Sequence, residues 1–255
     1  MKLHYKILGE GPPVVILHGL FGMLDNWRTI ARKLEASWQC ILVDLRNHGK
    51  SPHDPEMNYS VMAADVMELI NDLDISPAIV IGHSMGGKVA MELALTYPKS
   101  VQKLIVIDIA PRQYPPHHEK VIIAIESVDP EKMKERSEAE HLLRSHLGED
   151  ESTIQFLLKN ISRRQEGGFE WKANMAGIIA EYDAVMDRIN PDRSFDKPVL
   201  FVRGINSNSL NEKDLPDIKS LFPNVEWLTI ADAGHWVHSD QPEALTEALI
   251  AFMNA

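Results

Sequence analysis

Cysteine is nearly absent: Cys40 is the only one in 255 residues. An internal disulfide is therefore excluded, and the apolar setting Cys40-Ile41-Leu42-Val43 marks a core thiol rather than a reactive one. Basic charge is in deficit too. The 26 lysines and arginines stand against 37 acidic residues, a net charge of −11, which argues against nucleic acid or an anionic membrane surface as the main partner. No apolar run approaches membrane-spanning length, so no membrane insertion is expected. The first residues carry no charged region followed by an apolar signal segment, and a cytoplasmic protein is the expectation. Internal repeats and low-complexity tracts are also missing. What is present is ordinary: 44% apolar and 25% charged residues, in a length that suits one large α/β domain or a core domain with an insertion.

The apolar runs set the organisation. Leu3 to Leu8 reads as a short strand, and Gly9-Glu10-Gly11-Pro12-Pro13 as a turn. Val14 to Leu17, Cys40 to Val43, Ile79 to Ile81, Leu104 to Ile107, Val199 to Val202 and Val225 to Ile230 are continuous or near-continuous apolar runs, the pattern of strands buried on both faces. Helical spacing separates them: Trp27, Ile30, Ala31 and Leu34; a stretch capped by Ser60; Val89 to Tyr97; and a last helix after Pro242. Strands alternating with helices imply a mostly parallel sheet with right-handed crossovers. Between residues 111 and 189 the rhythm stops. That stretch shows helical spacing and no strand pattern, with Val121 to Ile125 read as helix, and is expected to be a helical insertion. The expected division is a core of 1–110 and 190–255 with an insertion of 111–189.

One stretch carries chemistry: Ile79-Val80-Ile81-Gly82-His83-Ser84-Met85-Gly86-Gly87-Lys88. A strand runs into a Gly-x-Ser-x-Gly turn, and a helix follows at once. That is the setting of a nucleophile elbow, a turn so sharp that side chains at Gly82 and Gly86 would collide with it. The amide of Met85 then lies at a helix N-terminus, where the macrodipole favours a developing oxyanion. A serine hydroxyl is a weak nucleophile near neutral pH and needs a base, itself oriented by a third group. Among eleven histidines, His235 is the candidate base. It follows the final strand in Asp232-Ala233-Gly234-His235-Trp236, at the edge where Ser84 emerges, and Gly234 lets the chain bring the ring close. His18 and His83 adjoin glycine turns, where rings bond backbone. His238 would pair with His235 on a metal, but no third ligand stands nearby, and neither metal nor organic cofactor is expected.

Together these motifs resemble the α/β-hydrolases, and more narrowly the bacterial YbfF-type esterases. The resemblance rests on His18-Gly19-Leu20-Phe21-Gly22, Asp44 to Ser51, Gly82 to Lys88, Ile107-Asp108-Ile109-Ala110-Pro111 and Gly234-His235-Trp236-Val237-His238. It implies an α/β-hydrolase fold with a helical cap inserted after the strand ending at Asp108. In most α/β-hydrolases the acid of the triad follows the strand here ending at Val202. This chain has Ser207 at that place, which cannot carry the charge. Asp108, at the end of the preceding strand, is the expected acid, and the resemblance implies the same. Asp214 and Asp232 are its competitors.

The second oxyanion donor, besides Met85, is expected from Leu20, with Phe21 as the alternative. Phe21, His83 and Trp236 are candidate pocket residues, and Arg46, Asn47 and His48 either line the pocket or brace their own loop. Arg163 and Arg164 either meet an anionic substrate or form a solvated face. The apolar clusters of the insertion suggest an aliphatic acyl pocket, although helices packing on the core leave the same pattern. The expected function is hydrolysis of short-to-medium acyl esters, with thioesters as an extension, by a monomer or homodimer acting on a small molecule. Carbon–carbon bond hydrolysis and cofactor-free haloperoxidation use the same triad, and a ligand-binding receptor is the non-enzyme alternative.

Overall fold

The computed structural model describes residues 1–189 and 192–255. Its strands are β1 (Tyr5–Leu8), β2 (Pro13–Leu17), β3 (Gln39–Val43), β4 (Ala78–His83), β5 (Val101–Ile107), β6 (Ile161–Arg163), β7 (Phe169–Trp171), β8 (Val199–Gly204) and β9 (Val225–Ile230). Its α-helices are α1 (Arg28–Leu34), α2 (Tyr59–Asp72), α3 (Met85–Thr96), α4 (Glu119–Glu126), α5 (Arg136–Leu147), α6 (Glu151–Leu158), α7 (Met175–Ala180), α8 (Tyr182–Met186), α9 (Leu215–Leu221), α10 (Val237–Asp240) and α11 (Pro242–Asn254).

Seven strands form one sheet in the order β1-β3-β2-β4-β5-β8-β9. Only β1 runs antiparallel, against β3; the other pairings are parallel. Alternation explains why the strand runs are apolar throughout. Val15 and Leu17 pack on one face with α2 and α3, while Val14 and Ile16 pack on the other with α1 and α11. Both faces are covered, so neither has a polar alternate. Helix α2 is capped by Asn58, which accepts the Val61 N–H at 3.0 Å, rather than by Ser60. Both residue types cap well; the buried ring of Tyr59 fixes the earlier start.

The strand order reverses direction between β2 and β4, and the crevice beyond the strand ends at such a point is where open α/β sheets place ligands. Register makes this concrete. Leu17 pairs with Gly82, so the loop after β2 and the turn after β4 leave the sheet side by side. Ile107 pairs with His83 on one side and Val202 on the other, so residue 108 emerges between β4 and β8.

The segment between β5 and β8 carries α4 to α8. It also carries the antiparallel hairpin β6–β7, which corrects the expectation of helices alone. Three-residue strands are too short for a two-residue period to show. The signal was the turn: Gly167 and Gly168 take φ of +96° and +78°, a backbone that favours glycine. The expected return to the core at residue 190 lies outside the described residues. Among the described residues no helix is long and apolar enough to cross a membrane.

Candidate active site

Ser84 joins β4 to α3 with φ 53° and ψ −123°, a strained backbone for a residue with a side chain. The turn closes because its neighbours lack side chains. A Cβ on Gly82 would sit 2.1 Å from the Gly86 carbonyl oxygen, and one on Gly86 would sit 2.4 Å from the His18 carbonyl oxygen. The Ser84 N–H donates to the Ile107 carbonyl at 3.0 Å, pinning the turn to β5.

His235 lies in the loop after β9. Sequence reasoning assigns its close approach to Gly234, but the structure places the tight contact at Gly204. A Cβ on Gly204 would stand 2.1 Å from the Gly234 carbonyl oxygen, whereas one on Gly234 would meet nothing nearer than 3.4 Å. The loop is further held by Asn206 N–H to the Ala233 carbonyl at 2.9 Å and by His83 Nε2–H to the His235 carbonyl at 2.8 Å.

Asp108 directly follows β5, with φ 54°. Its Oδ2 lies 2.8 Å from His235 Nδ1, and His235 Nε2 lies 3.0 Å from Ser84 Oγ. The carboxylate fixes the tautomer: Nδ1–H donates to it, leaving Nε2 to accept the serine proton. Asp108 is 0% exposed and the imidazole 35%, so the acid sits beneath the ring, away from water. The charge is satisfied by two more donors, the Gly204 N–H at 3.1 Å and the Ser207 hydroxyl. Ser207, at the position where the acid is sought first, thus donates to the candidate acid Asp108. Its type excluded it as a carboxylate, and nothing in the sequence showed that it would touch one.

The two competing acids lie elsewhere. Asp214 is paired with Arg112 Nε at 2.8 Å and accepts the Asn211 N–H; Asp232 is exposed on its loop.

The loop after β2 lies directly against the serine: a Cβ on Gly19 would be 3.2 Å from Ser84 Cβ. His18 Nδ1–H donates to the Gly19 carbonyl at 2.8 Å, and its Nε2 accepts the Leu45 N–H at 3.1 Å. His48 Nδ1–H donates to the Arg46 carbonyl at 2.8 Å, and its Nε2 accepts the Phe21 N–H at 3.2 Å. Burial pushes His18 down to about 4 and, with the neighbouring His18 ring, His48 down to about 3. Both therefore remain neutral acceptors near pH 7. The Leu20 N–H bonds to no described residue, and the Met85 N–H is the first of α3.

Ser84 and His235 open into a cleft of about 780 Å³. Leu20, Phe21, His83 and Trp236 line it from the sheet side; His118, Val121 and Phe156 line it from the inserted segment. Rings of Phe156 and Trp236 meet at 5.1 Å, bridging the two sides. Ile154, Leu157, Leu158, Met175 and Ile178 are buried in packing, so of the insertion's apolar clusters Val121 and Phe156 reach the cleft, whose lining mixes aliphatic, aromatic and polar side chains. His118 was not distinguishable by sequence, since only the fold turns α4 toward the cleft.

Arg46 bonds Asp65 at 2.6 Å and the Glu56 carbonyl, and Asn47 bonds the Asp54 backbone, so these side chains brace their own loop. Arg164 pairs with Glu131 and Glu170 on the surface. The His238 ring stacks on Trp27 at 4.7 Å, and among the described residues no three histidine, cysteine or acidic side chains gather to hold a metal.

Comparison with known proteins agrees with this fold. A family profile described as the alpha/beta hydrolase fold matches residues 12–242. The chain is 39% identical over 245 residues to Esterase YbfF of Escherichia coli strain K12, covering 95% of this chain and 93% of that one. It is also 39% identical over 254 residues to the sn-1-specific diacylglycerol lipase ABHD11 of Xenopus laevis, covering 96% and 80%. A solved structure described as a marine microorganism esterase superposes with a TM-score of 0.95 at 40% identity, covering 98% and 99%. With the sheet order and the serine turn on the same chain, the protein belongs to the α/β-hydrolase fold family.

Proposed function

We propose that this chain hydrolyses carboxylic esters through an acyl-enzyme on Ser84. The observation that carries the reading is the hydrogen-bonded line from buried Asp108 through His235 to Ser84 Oγ, at 2.8 and 3.0 Å. His235 takes the serine proton as Ser84 attacks the carbonyl, and returns it to the departing alcohol. Water then enters, gives a proton to the same ring and attacks the acyl carbon; the ring passes that proton to Ser84 Oγ as the acyl–oxygen bond breaks and the acid leaves. Asp108 holds the tautomer and stabilises the imidazolium. The relatives named as an esterase and a diacylglycerol lipase support the same class of bond.

The oxyanion is bound by the amides of Met85 and Leu20. Leu20 is preferred over Phe21 because the Phe21 N–H is already given to His48. Loss of one such donor costs about 3–4 kcal/mol of transition-state stabilisation. Phe21, His83 and Trp236 shape the cleft beside the serine, and residues 111–189 act as a cap above it. Short-to-medium acyl esters are the proposed substrates, with acyl thioesters, attacked at the same carbonyl carbon, as an extension.

The test is labelling with a fluorophosphonate, followed by mass-spectrometric location of the adduct and a chase with p-nitrophenyl esters and thioesters. The expected adduct is on Ser84, with steady multiple turnovers of the esters. An adduct at another residue, or a single stoichiometric turnover of the kind a receptor gives, overturns the reading.

A further inference from the structure

Phe21 is a bulky residue in the left-handed region, φ 57°, and is only 2% exposed. Backbone of this kind persists only where its surroundings hold it. Two side chains do so, one on each flanking peptide, and the Gly22 N–H closes the turn on the Gly19 carbonyl at 2.9 Å. The Phe21 N–H is given to His48 Nε2 at 3.2 Å. The Phe21 carbonyl accepts a hydrogen bond from Asn160 Nδ2 at 2.6 Å. His48 belongs to the sheet side of the molecule; Asn160 belongs to the inserted segment.

Asn160 is itself placed with care. It lies between α6 and β6 and is 0% exposed. Its own carbonyl accepts the Lys172 N–H at 2.7 Å, closing the β6–β7 hairpin at its foot. Its Nδ2 faces the Phe21 carbonyl, because the reversed amide would set two oxygens against each other. Among the described residues its Oδ1 has no partner although it is buried. A buried amide with half its capacity unmet is destabilising, and the half that is satisfied is the one that holds Phe21.

The geometry points to Asn160 as a positioning residue for the oxyanion hole, through which the inserted segment completes the site it covers. This rests on the esterase reading above and adds to it. The Leu20 N–H sits one residue before Phe21. It belongs to the Gly19–Leu20 peptide, whose carbonyl accepts the Gly22 N–H at 2.9 Å; that N–H lies on the Phe21–Gly22 peptide, the one whose carbonyl Asn160 holds. Without the Asn160 donor, the Phe21–Gly22 peptide is held by its N–H alone, and as φ of Phe21 relaxes toward the ordinary negative range the turn pulls on the Gly19 carbonyl. The Leu20 amide then swings off the point where negative charge develops. The ground state loses little, because an ester carbonyl asks less of these donors than an oxyanion does.

Asn160→Leu, which keeps the volume and removes the donor, tests this. Its readouts are kcat and KM for p-nitrophenyl butyrate, the affinity for an alkyl trifluoromethyl ketone, and thermal stability. The ketone adds to Ser84 to give a tetrahedral oxyanion, so its affinity reports the hole. The expected result is a loss in kcat of about 30- to 100-fold, a KM within about twofold of wild type, and a ketone affinity that falls in step with kcat. Asn160→Asp, which offers only acceptors to the Phe21 carbonyl when ionised, gives the same readout if the leucine variant does not fold. In a Phe21→Gly chain, where residue 21 adopts positive φ freely, the Asn160→Leu penalty should shrink several-fold.

A folded variant with wild-type kcat and ketone affinity overturns the proposal. So does one that loses thermal stability alone, since a tie that merely fastens the insertion would do that. A wild-type chain that neither turns over the ester nor binds the ketone would instead sink the esterase reading, leaving the two failures distinct.

Discussion

Asp108 brings three donors to one carboxylate: His235 Nδ1–H, the Gly204 N–H and the Ser207 hydroxyl. Replacing it by asparagine keeps the shape but offers the ring an amide that does not fix the productive tautomer. Asp108→Asn is expected to lower kcat for p-nitrophenyl butyrate by about 10³–10⁴-fold, while Asp214→Asn, which touches Arg112 and not the ring, leaves kcat near wild type. The hydroxyl of Ser207 already reaches the oxygen that contacts His235. A carboxylate grafted there, as Asp108→Asn with Ser207→Asp, should therefore regain at least about tenfold over the single variant. No gain would show that position 207 cannot reach the ring. The candidate nucleophile, base and acid were legible because Ser84 and Asp108 follow strong apolar runs and His235 lies in the loop after the last strand, and strand ends share one edge of a parallel sheet. Ser207 and Asn160 were not legible. Their roles lie in what they touch across long stretches of chain, and a serine or an asparagine between elements has the same local appearance with or without such a contact.

Elements set these side chains by how closely they approach. At the end of β8, Gly204 leaves room for the Gly234 carbonyl, and so for the loop that carries His235. Gly204→Ala should cut kcat by at least about 10²-fold through displacement of the ring by about an ångström, while fluorescence and circular dichroism report a folded chain. Helix α3 makes a second approach. One turn beyond Ser84, the buried Lys88 ammonium donates to the carbonyls of Arg112 and Asp187, the entry to and exit from the inserted segment. It also lies over the rings of Tyr59 and Tyr114. Burial lowers its pKa from 10.5 to about 7, partly offset by Asp187. The folded state therefore binds fewer protons than the unfolded state between about 7 and 10.5, and this lysine makes stability rise with pH across that window. Urea unfolding of wild type from pH 7 to 9.5 should show the rise, and Lys88→Met should remove it. Long strands and helices were readable from their periods; the β6–β7 hairpin was not, because three residues cannot display one.

At the scale of the whole molecule, the abundance of histidine becomes a property of the fold. Five of them are held neutral: His18, His48 and His83 are buried, and His118 and His238 are half-buried. His18 and His118 are pushed down to about 4, His48 and His238 to about 3, and His83 well below its ordinary value. Desolvation is the main cause in each, and neighbouring imidazoles add to it for His48, His83, His118 and His238. In the unfolded chain all five titrate near 6.5. Their folded pKa values are depressed, so the stability they contribute is complete above 6.5 and is lost as pH falls toward 4. Each proton taken up on unfolding tilts stability by about 1.4 kcal/mol per pH unit, and a domain's whole stability is about 5–15 kcal/mol. Acid should therefore unfold this chain well before its carboxylates are exhausted. Urea midpoints from pH 7.5 to 4.5 should fall with a slope worth more than two protons, and a flat profile would refute the neutral assignment. His238→Phe separates this cause from carboxylate titration. The phenyl ring keeps the stack on Trp27, and no described partner is lost from Nδ1. The acid slope should then drop by about one proton while the slope above pH 7 stays unchanged.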